Sequence, residues 1–392
     1  MIYKELTGQL DDSPLYDLIS DGFSDKKIVE TINNTFDQFF VNKSNLERYS
    51  KDFLIHDWIN YTRNHYDKID ININEILSLV HSSQNIDKNA VFKTFASFQN
   101  QSANIGNKHW SLCILQKDLS QLGDYEYITE CFTMIENICE IFLKNFFVIL
   151  VYLHRISKNK ISSLEEIGNL KFGNLVNEIT QANILPNLLQ TLQSPLSISQ
   201  WRNIACHKSY LYISNKIECK YGKHLEKQYT LNSKEDLLKI TKELNLISQA
   251  INFSFKFTLY DNITEIGNIY NSNNSSQNCE VNRSETWHLL LVTELYISGF
   301  KVIEIKENDT SIKICIEEMT YQDTYKRAIQ SSIAIYKVWG YTNKNTIEII
   351  YFDINKTPYL SSSSTSDVCE KIASGLEDIN FLASKANFIK LQ

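Results

Sequence analysis

Residues 125–157 carry an apolar stripe that limits the possible folds more than any other feature of the sequence. Large apolar residues recur there at steps of three and four, and no glycine or proline interrupts them. The stripe consists of Ile128, Phe132, Ile135, Ile138, Phe142, Phe146, Ile149, Leu153 and Ile156. This period predicts one long helix with a buried face.

The residues after this helix predict further helices that bury their apolar faces against it. We expect a second helix over 164–182, a short one over 185–192, and a boundary at Pro195. Ser197 and Gln200 then form a capping-box pattern that predicts a helix start at about Ile198. Leu196 is placed to pack against Trp201 as a hydrophobic staple.

A closing helix begins after a polar stretch. Ser233 caps it, with Asp236 three residues later, and a long apolar stripe follows. The stripe consists of Leu237, Ile240, Leu244, Ile247, Ile251, Phe255 and Leu259. Residues 125–260 therefore read as a bundle of about four helices.

The flanking regions differ from this bundle. Amphipathic segments at 26–40, 51–61 and 88–99 predict a mostly helical N-terminal region. Beyond the bundle, we expect a helix over 285–297, a strand pair KVIEIK and SIKICIEE, a helix over 321–338 and the strand TIEIIYF, with the serines 361–364 as a tail. An Asn- and Ser-rich segment at 268–284 is typical of a flexible linker.

The predicted fold class is therefore mainly α. It combines an N-terminal mostly helical region (1–120), a helical bundle (121–265), a polar linker (266–284) and a small α/β domain (285–392).

Composition limits the classes of function. The net charge of −7 excludes wholesale attraction to nucleic acid, so contact with a polyanion requires a local basic patch. The 8 cysteines show no zinc-ligand spacing, and we expect reduced thiols and neither a metal nor another cofactor. There is no leader-like start, and the longest apolar run, 146–153, is short, so we expect a cytoplasmic protein without membrane contact.

One helix carries candidate chemistry, in the sequence RNIACH at 202–207. We extend this helix to Tyr212, which places Leu211 on the apolar face and leaves Arg202 and His207 on the polar side, about 140° apart. A guanidinium suits a phosphate, and an imidazole moves protons near neutral pH. The same spacing is also compatible with a purely structural role, in which Arg202 extends into solvent and His207 is hydrogen-bonded within the bundle.

Context favours chemistry over packing at this motif. A second pair at the same spacing, Arg283 and His288, leads into a β-rich segment, and we interpret it as coincidence. By contrast, Arg202, Asn203 and His207 resemble the R-N-x3-H signature of HEPN domains. Their setting, a long first helix, an intervening helical pair, a motif helix and a long closing helix over about 120–262, is similar as well.

The resemblance implies a metal-independent endoribonuclease that acts as a homodimer. In that family, His207 would be the general acid or base, Arg202 would stabilise the phosphorane charge, and Asn203 would orient the motif. Glu136 would be the acidic residue opposite it. The resemblance also implies a toxin or anti-phage defence role, with an antitoxin or a defence-system protein as a further partner. Ser209 stands where some members carry a tyrosine.

Residues after the motif suggest how RNA binds. Cations and stackable rings alternate there, which suits single-stranded RNA as well as an ordinary solvated loop. The candidate substrate-binding residues are Lys208, Tyr210, Lys216 and Lys220.

Two alternatives stay open. The first is a catalytically silent HEPN scaffold that binds RNA or a partner protein. The second is a Mg²⁺-dependent nuclease in the C-terminal domain, whose element order resembles the restriction-endonuclease core. Glu304, Lys306 and Asp309 are its candidate residues, but Met319 stands where such a site needs a lysine.

Overall fold

The computed structural model describes residues 2–50, 54–64, 68–109, 119–160, 162–273, 286–320 and 324–391. Its helices are α1 (Ile2–Asp11), α2 (Pro14–Ser20), α3 (Asp25–Phe36), α4 (Lys43–Tyr49), α5 (Ile55–Arg63), α6 (Ile69–His109), α7 (Asp124–Asn137), α8 (Lys144–Ser157), α9 (Leu164–Gly168), α10 (Phe172–Gln181), α11 (Pro186–Leu189), α12 (Ile198–Cys206), α13 (Lys234–Asp261), α14 (Ile263–Asn273), α15 (Thr286–Ile297), α16 (Thr324–Ser331), α17 (Ile333–Thr342), α18 (Ser366–Ala373) and α19 (Ile379–Lys385).

The strands are β1 (Tyr210–Ile213), β2 (Lys216–Tyr221), β3 (Lys227–Leu231), β4 (Phe300–Glu307), β5 (Ser311–Glu318), β6 (Thr346–Phe352), β7 (Pro358–Thr365) and β8 (Asn387–Lys390). The mainly α prediction is confirmed. None of the described helices combines the length and apolar character that a lipid bilayer requires of a spanning segment.

Contacts divide the chain into two compact units. One unit, called here the split unit, contains residues 1–35, 50–63 and 282–392. The other, called here the bundle unit, contains residues 36–49 and 64–281. The predicted boundaries at 120 and 266 differ from this division, because the first residues of the chain pack with the last ones and α6 packs with the bundle.

The bundle unit is built around α6, α8 and α13. Phe255 of α13 packs edge-on against Phe95 of α6 and Phe146 of α8, with both ring centroids at 5.4 Å. Helix α6 is kinked at Asp87, whose backbone is not helical (φ −147°, ψ 84°). The Asp87 carboxylate accepts from the Ala90 N–H at 2.8 Å, so it caps the second half of α6.

The predicted long helix at 125–157 is confirmed as one continuous helical run, with one departure. Residues Ile138–Leu143, between α7 and α8, form a π-helix. A π-turn inserts one extra residue into the ladder, and such turns are frequent at functional sites. The apolar period runs through it unbroken, so the sequence pattern did not reveal the change.

The other helix predictions for this unit fare unevenly. Both caps are confirmed: Ser197 and Gln200 form the full capping box, and Ser233 accepts from the Asp236 N–H. The helix predicted over 164–182 is divided into α9 and α10. Residues 266–273, predicted to be part of the linker, belong instead to α14, and residues 274–285 lie outside the described part of the chain.

The split unit contains a mixed five-stranded sheet in the order β4-β5-β6-β7-β8. Strands β5 and β6 are parallel and the other neighbours are antiparallel. The serines 361–364, predicted as a tail, instead form part of β7. Ser362 is fully buried there, and its hydroxyl lies 3.2 Å from that of Tyr351, so a hydrogen bond stabilises the burial of this serine.

Candidate functional site

Helix α12 presents its motif by burying its opposite face. Trp201 is fully buried, and its Nε1 donates to Ser194 Oγ at 2.8 Å. Ile204 and Ala205 are buried beside it. Asn203 and His207 are exposed. The capping box therefore sets the start of the helix, and the tryptophan sets which face is left for chemistry.

The helix ends at the motif histidine. The Lys208 N–H donates to the Ala205 carbonyl at 3.2 Å, and the Ser209 N–H donates to the Ile204 carbonyl at 3.1 Å. These two bonds form a Schellman motif, in which Lys208 takes a left-handed backbone (φ 49°) and His207 is the C-cap. The prediction that the helix continues to Tyr212 is therefore wrong.

Arg202 is held by a carboxylate that the sequence did not single out. Its Nε and Nη2 both contact Oε1 of Glu140, in the π-helix, and its Nη1 donates to Asn203 Oδ1 at 3.0 Å. Lys144 Nζ lies 3.7 Å from the other oxygen, Oε2, of Glu140. One carboxylate thus serves two cations, and this group of three, the Arg202–Glu140–Lys144 cluster, carries one net positive charge.

Glu136, the acidic residue that the resemblance implies, contacts a different residue of α12. Its carboxylate is hydrogen-bonded with the Cys206 thiol. Burial raises the pKa of Cys206 to about 11, with Glu136 and Glu140 adding to the rise and Arg202 opposing it. The thiol is therefore protonated near neutral pH and is a poor nucleophile.

Cys139, in the π-helix, is buried under the same helices. Burial strongly raises the pKa of its thiol. Neither cysteine of this region supplies a thiolate. The exposed imidazole of His207, the C-cap of α12, is therefore the candidate acid or base.

The predicted RNA-binding residues lie on a three-stranded antiparallel sheet, in the order β1-β2-β3. Lys216 and Lys220 lie on its outer face and are exposed, and Lys208 is exposed before it. Tyr210 lies on the inner face, and its ring stacks on Phe132 of α7 at 3.9 Å. The sheet therefore separates the lysines from this tyrosine, whose stacked ring face is already covered.

The outer face of the sheet also carries apolar side chains. Leu211 and Ile213 of β1 are each 51% exposed. Leu211 was predicted on the apolar face of an extended helix, and its exposure is a consequence of the change to a strand. On the inner face, Tyr212 donates to Asp124 at 3.1 Å, and Lys234 pairs with the same carboxylate at 2.6 Å, so Asp124 ties β1 and α13 to the start of α7.

The remaining candidates belong to the split unit. Glu304 pairs with Lys306 at 2.9 Å on β4, and Asp309 lies in the turn after that strand. His288 belongs to α15, where its ring stacks on Trp287 at 3.8 Å, and Arg283 lies outside the described residues. Across the described ranges, no group of three His, Cys, Asp or Glu side chains is arranged to hold a metal ion.

Sequence reasoning found Arg202, Asn203 and His207 but missed Glu140 and Lys144. The available signal was spacing: Glu140 follows Glu136 by four residues, and Lys144 follows Glu140 by four. Comparisons with known proteins add no further constraint on this site, because no family model, no curated protein and no solved structure matches the chain.

Proposed function

We propose that this protein is a metal-independent endoribonuclease of HEPN type, whose site is the end of α12. One observation carries the proposal. Arg202 and Asn203 lie on a helix whose other face is anchored by the buried Trp201, His207 caps the C-terminal end of that helix with an exposed imidazole, and Arg202 belongs to a cluster of net positive charge.

The roles follow from the donors and acceptors present. The imidazole of His207 takes the proton of an RNA 2′-hydroxyl as that oxygen attacks the neighbouring phosphate. The bond between phosphorus and the 5′-oxygen breaks, and that oxygen takes up a proton and leaves as a 5′-hydroxyl. A guanidinium has five N–H donors, and Arg202 directs three of them to Glu140 and Asn203. The other two are available to the developing charge on the phosphate.

The resemblance also implies a homodimer, an antitoxin or defence partner, and a cytoplasmic role in toxin or anti-phage systems. These remain parts of the proposal. Cys206 and Tyr210, near the motif, already contact Glu136 and Phe132 within the chain. Light scattering at concentrations where RNA is cut tests the dimer directly.

The experiment is RNA digestion by the purified full chain in EDTA, with mapping of the cut ends. We expect cleavage with 2′,3′-cyclic phosphate and 5′-hydroxyl ends. His207→Ala should lower the rate about 10²- to 10⁴-fold, the usual cost of losing a general acid or base.

Two control histidines make this test specific. His288→Ala, at the second R-x4-H pair, and His81→Ala, at an exposed position of α6, should leave the rate unchanged. Equal loss from His207→Ala and from a control would show that α12 is the wrong site. Activity that requires Mg²⁺ and disappears in Glu304→Gln would transfer the chemistry to the C-terminal α/β region.

A second candidate function, the silent scaffold, is favoured by the engagement of Arg202 with Glu140. An arginine already neutralised by a carboxylate binds a phosphate less readily. A protein that binds RNA, cuts none, and loses affinity in Lys216→Gln and Lys220→Gln variants would establish the scaffold instead.

A further inference from the structure

A groove in the bundle unit is lined in part by Lys144, one member of the Arg202–Glu140–Lys144 cluster. Its larger part is a cleft of about 420 Å³ between the second half of α6, the start of α8 and α9. A second cleft of about 270 Å³ adjoins it and shares Thr94, Ser97 and Leu164 with it. The larger volume falls within the ~300–1,000 Å³ that small-molecule sites occupy.

The groove combines an apolar floor with a polar rim. Phe98 and Ile149 are buried in the floor. On the rim, Asn145 Nδ2 donates to the Ile141 carbonyl at 2.7 Å, which fixes the orientation of that amide. Glu165, on α9, presents a carboxylate that accepts from an amino group.

A lysine lines each of the two clefts. Lys144 lines the larger cleft and Lys93 lines the smaller one. Both walls also depart from regular α-helix, because α6 is kinked at Asp87 and the π-helix immediately precedes Lys144. Because both helices are irregular here, the two walls do not form one continuous helix–helix interface.

We propose that this groove binds a nucleotide, with its phosphate at Lys144 and its base over Phe98 and Ile149. Inorganic phosphate alone would leave the apolar floor uncovered, whereas a base covers the floor and offers its edge to the amides and to Glu165. The identity of the ligand rests on the proposed function, since a nucleotide at Lys144 is either a residue of the RNA substrate or a free nucleotide.

The link to the motif runs through one carboxylate. Glu140 is shared by Lys144 of the groove and Arg202 of the motif. A phosphate that pairs with Lys144 supplies the negative charge that the cluster lacks. Occupancy of the groove therefore affects the same carboxylate that holds the arginine.

The test is a binding titration on the full chain with three probes. The probes are inorganic phosphate, 5′-AMP and a non-cleavable 2′-fluoro oligoadenylate. Calorimetry or fluorescence anisotropy measures their binding. Ser97→Phe fills the groove from an exposed position, and Lys144→Gln removes the cation. We expect each to weaken nucleotide binding about tenfold or more, the scale of one lost charge-assisted contact.

Matched controls occupy comparable surface positions. Ser82→Phe lies on α6 outside the groove, and Lys158→Gln lies at the end of α8; both should bind like the wild type. Thermal unfolding checks the fold of each variant. If Ser97→Phe does not fold, Lys144→Gln alone decides the test.

The outcomes separate the sources of the ligand and the two proposals. A groove-dependent affinity for the oligomer alone identifies RNA, and one for 5′-AMP as well identifies free nucleotide; both support the proposal. If 5′-AMP and the oligomer bind equally well to the wild type, Ser97→Phe and Lys144→Gln, the groove proposal is overturned, even if His207→Ala abolishes cutting. Groove-dependent binding of 5′-AMP by a protein that cuts no RNA overturns the proposed function and leaves the groove proposal standing.

Discussion

The orientation of Arg202 depends on a carboxylate that lies far from it in the sequence. Arg202 was predicted from a spacing, and its partner Glu140 is known only from the fold. Because Glu140 contacts two of the guanidinium nitrogens, it fixes where the remaining N–H donors point. Glu140 is therefore a positioning residue for the proposed chemistry.

Glu140→Gln should lower kcat by about tenfold because the arginine loses its orientation, while KM for RNA should stay the same or fall, because removing the carboxylate leaves Arg202 and Lys144 more attractive to phosphate. Glu140→Asp should recover part of the loss. Glu136→Gln is the matched control on the same helical run and should have a smaller effect, since it contacts Cys206 and not Arg202. An equal effect on kcat from both variants would contradict the positioning role.

Lys208 has a left-handed backbone conformation that disfavours its side chain. Three helices of the bundle unit end in the same Schellman pattern, with left-handed residues Asn159 (φ 52°), Asn183 (φ 48°) and Lys208 (φ 49°). Asparagine tolerates this conformation, and a lysine pays a steric penalty.

Lys208→Gly should therefore raise the free energy of unfolding by about 1 kcal/mol, measured by urea denaturation. Asn159→Gly should raise it less. If Lys208 contacts RNA as proposed, the same variant should cut RNA more weakly although it is more stable. A variant that is both more stable and fully active would remove Lys208 from the substrate-binding set.

At the scale of elements, apolar periodicity and capping residues predicted the starts of three helices of the bundle unit. The run at 125–157 and both capped starts, at Ser197 and Ser233, were predictable because apolar spacing and cap chemistry are local. The end of α12 was not, because no glycine marks it. The π-helix was not, because it inserts one residue into the hydrogen-bond ladder without breaking the apolar order.

The candidate site was predictable to a similar extent. Its α12 residues come from one contiguous stretch, whereas Glu140 and Lys144 come from a helix some 60 residues earlier (62 for the Arg202–Glu140 pair). Whether Glu136 or Glu140 faces Arg202 depends on the extra residue that the π-helix inserts. That is set by three-dimensional packing and not by a local pattern.

Helices α8 and α10 are joined by an ion pair that makes stability depend on pH. Arg155 Nε and Nη2 donate to the two carboxylate oxygens of Glu178 at 2.8 and 2.9 Å. The hydrogen bonds from Arg155 lower the pKa of Glu178 below its ordinary value of 4.5. The pair therefore stabilises the fold above pH 4.5, and this contribution is lost as the pH falls through the lowered pKa.

Glu178→Gln should accordingly cost about 1 kcal/mol of unfolding free energy at neutral pH, a modest value because the pair is partly exposed. The difference from the wild type should shrink as the pH is lowered below 4.5. Chemical denaturation at several pH values measures it. A difference that grows on acidification would contradict the assignment.

At the scale of the whole molecule, the split unit joins the first and last parts of the chain. Asp11 of α1 accepts from the Tyr296 hydroxyl at 3.0 Å and pairs with Lys301 of β4. Thr293 and His56, also from distant parts of the chain, are hydrogen-bonded at 2.7 Å.

Asp11→Ala should lower the free energy of unfolding by about 1–2 kcal/mol, because it leaves the Tyr296 hydroxyl and the Lys301 ammonium without their carboxylate. Asp12→Ala, at the exposed neighbouring position, is the matched control and should change it little. Thermal or urea unfolding compares the two. Equal effects would show that the carboxylate of Asp11 is not what joins α1 to this unit.

The division of the split unit also sets an order of events on the ribosome. The residues that receive Asp11 are 285 and 290 positions further along the chain. At about 5–20 residues per second, α1 leaves the exit tunnel on the order of tens of seconds before its partners are made. During that interval the bundle unit is completed, while the apolar face of α1 is exposed to chaperones and to other nascent chains.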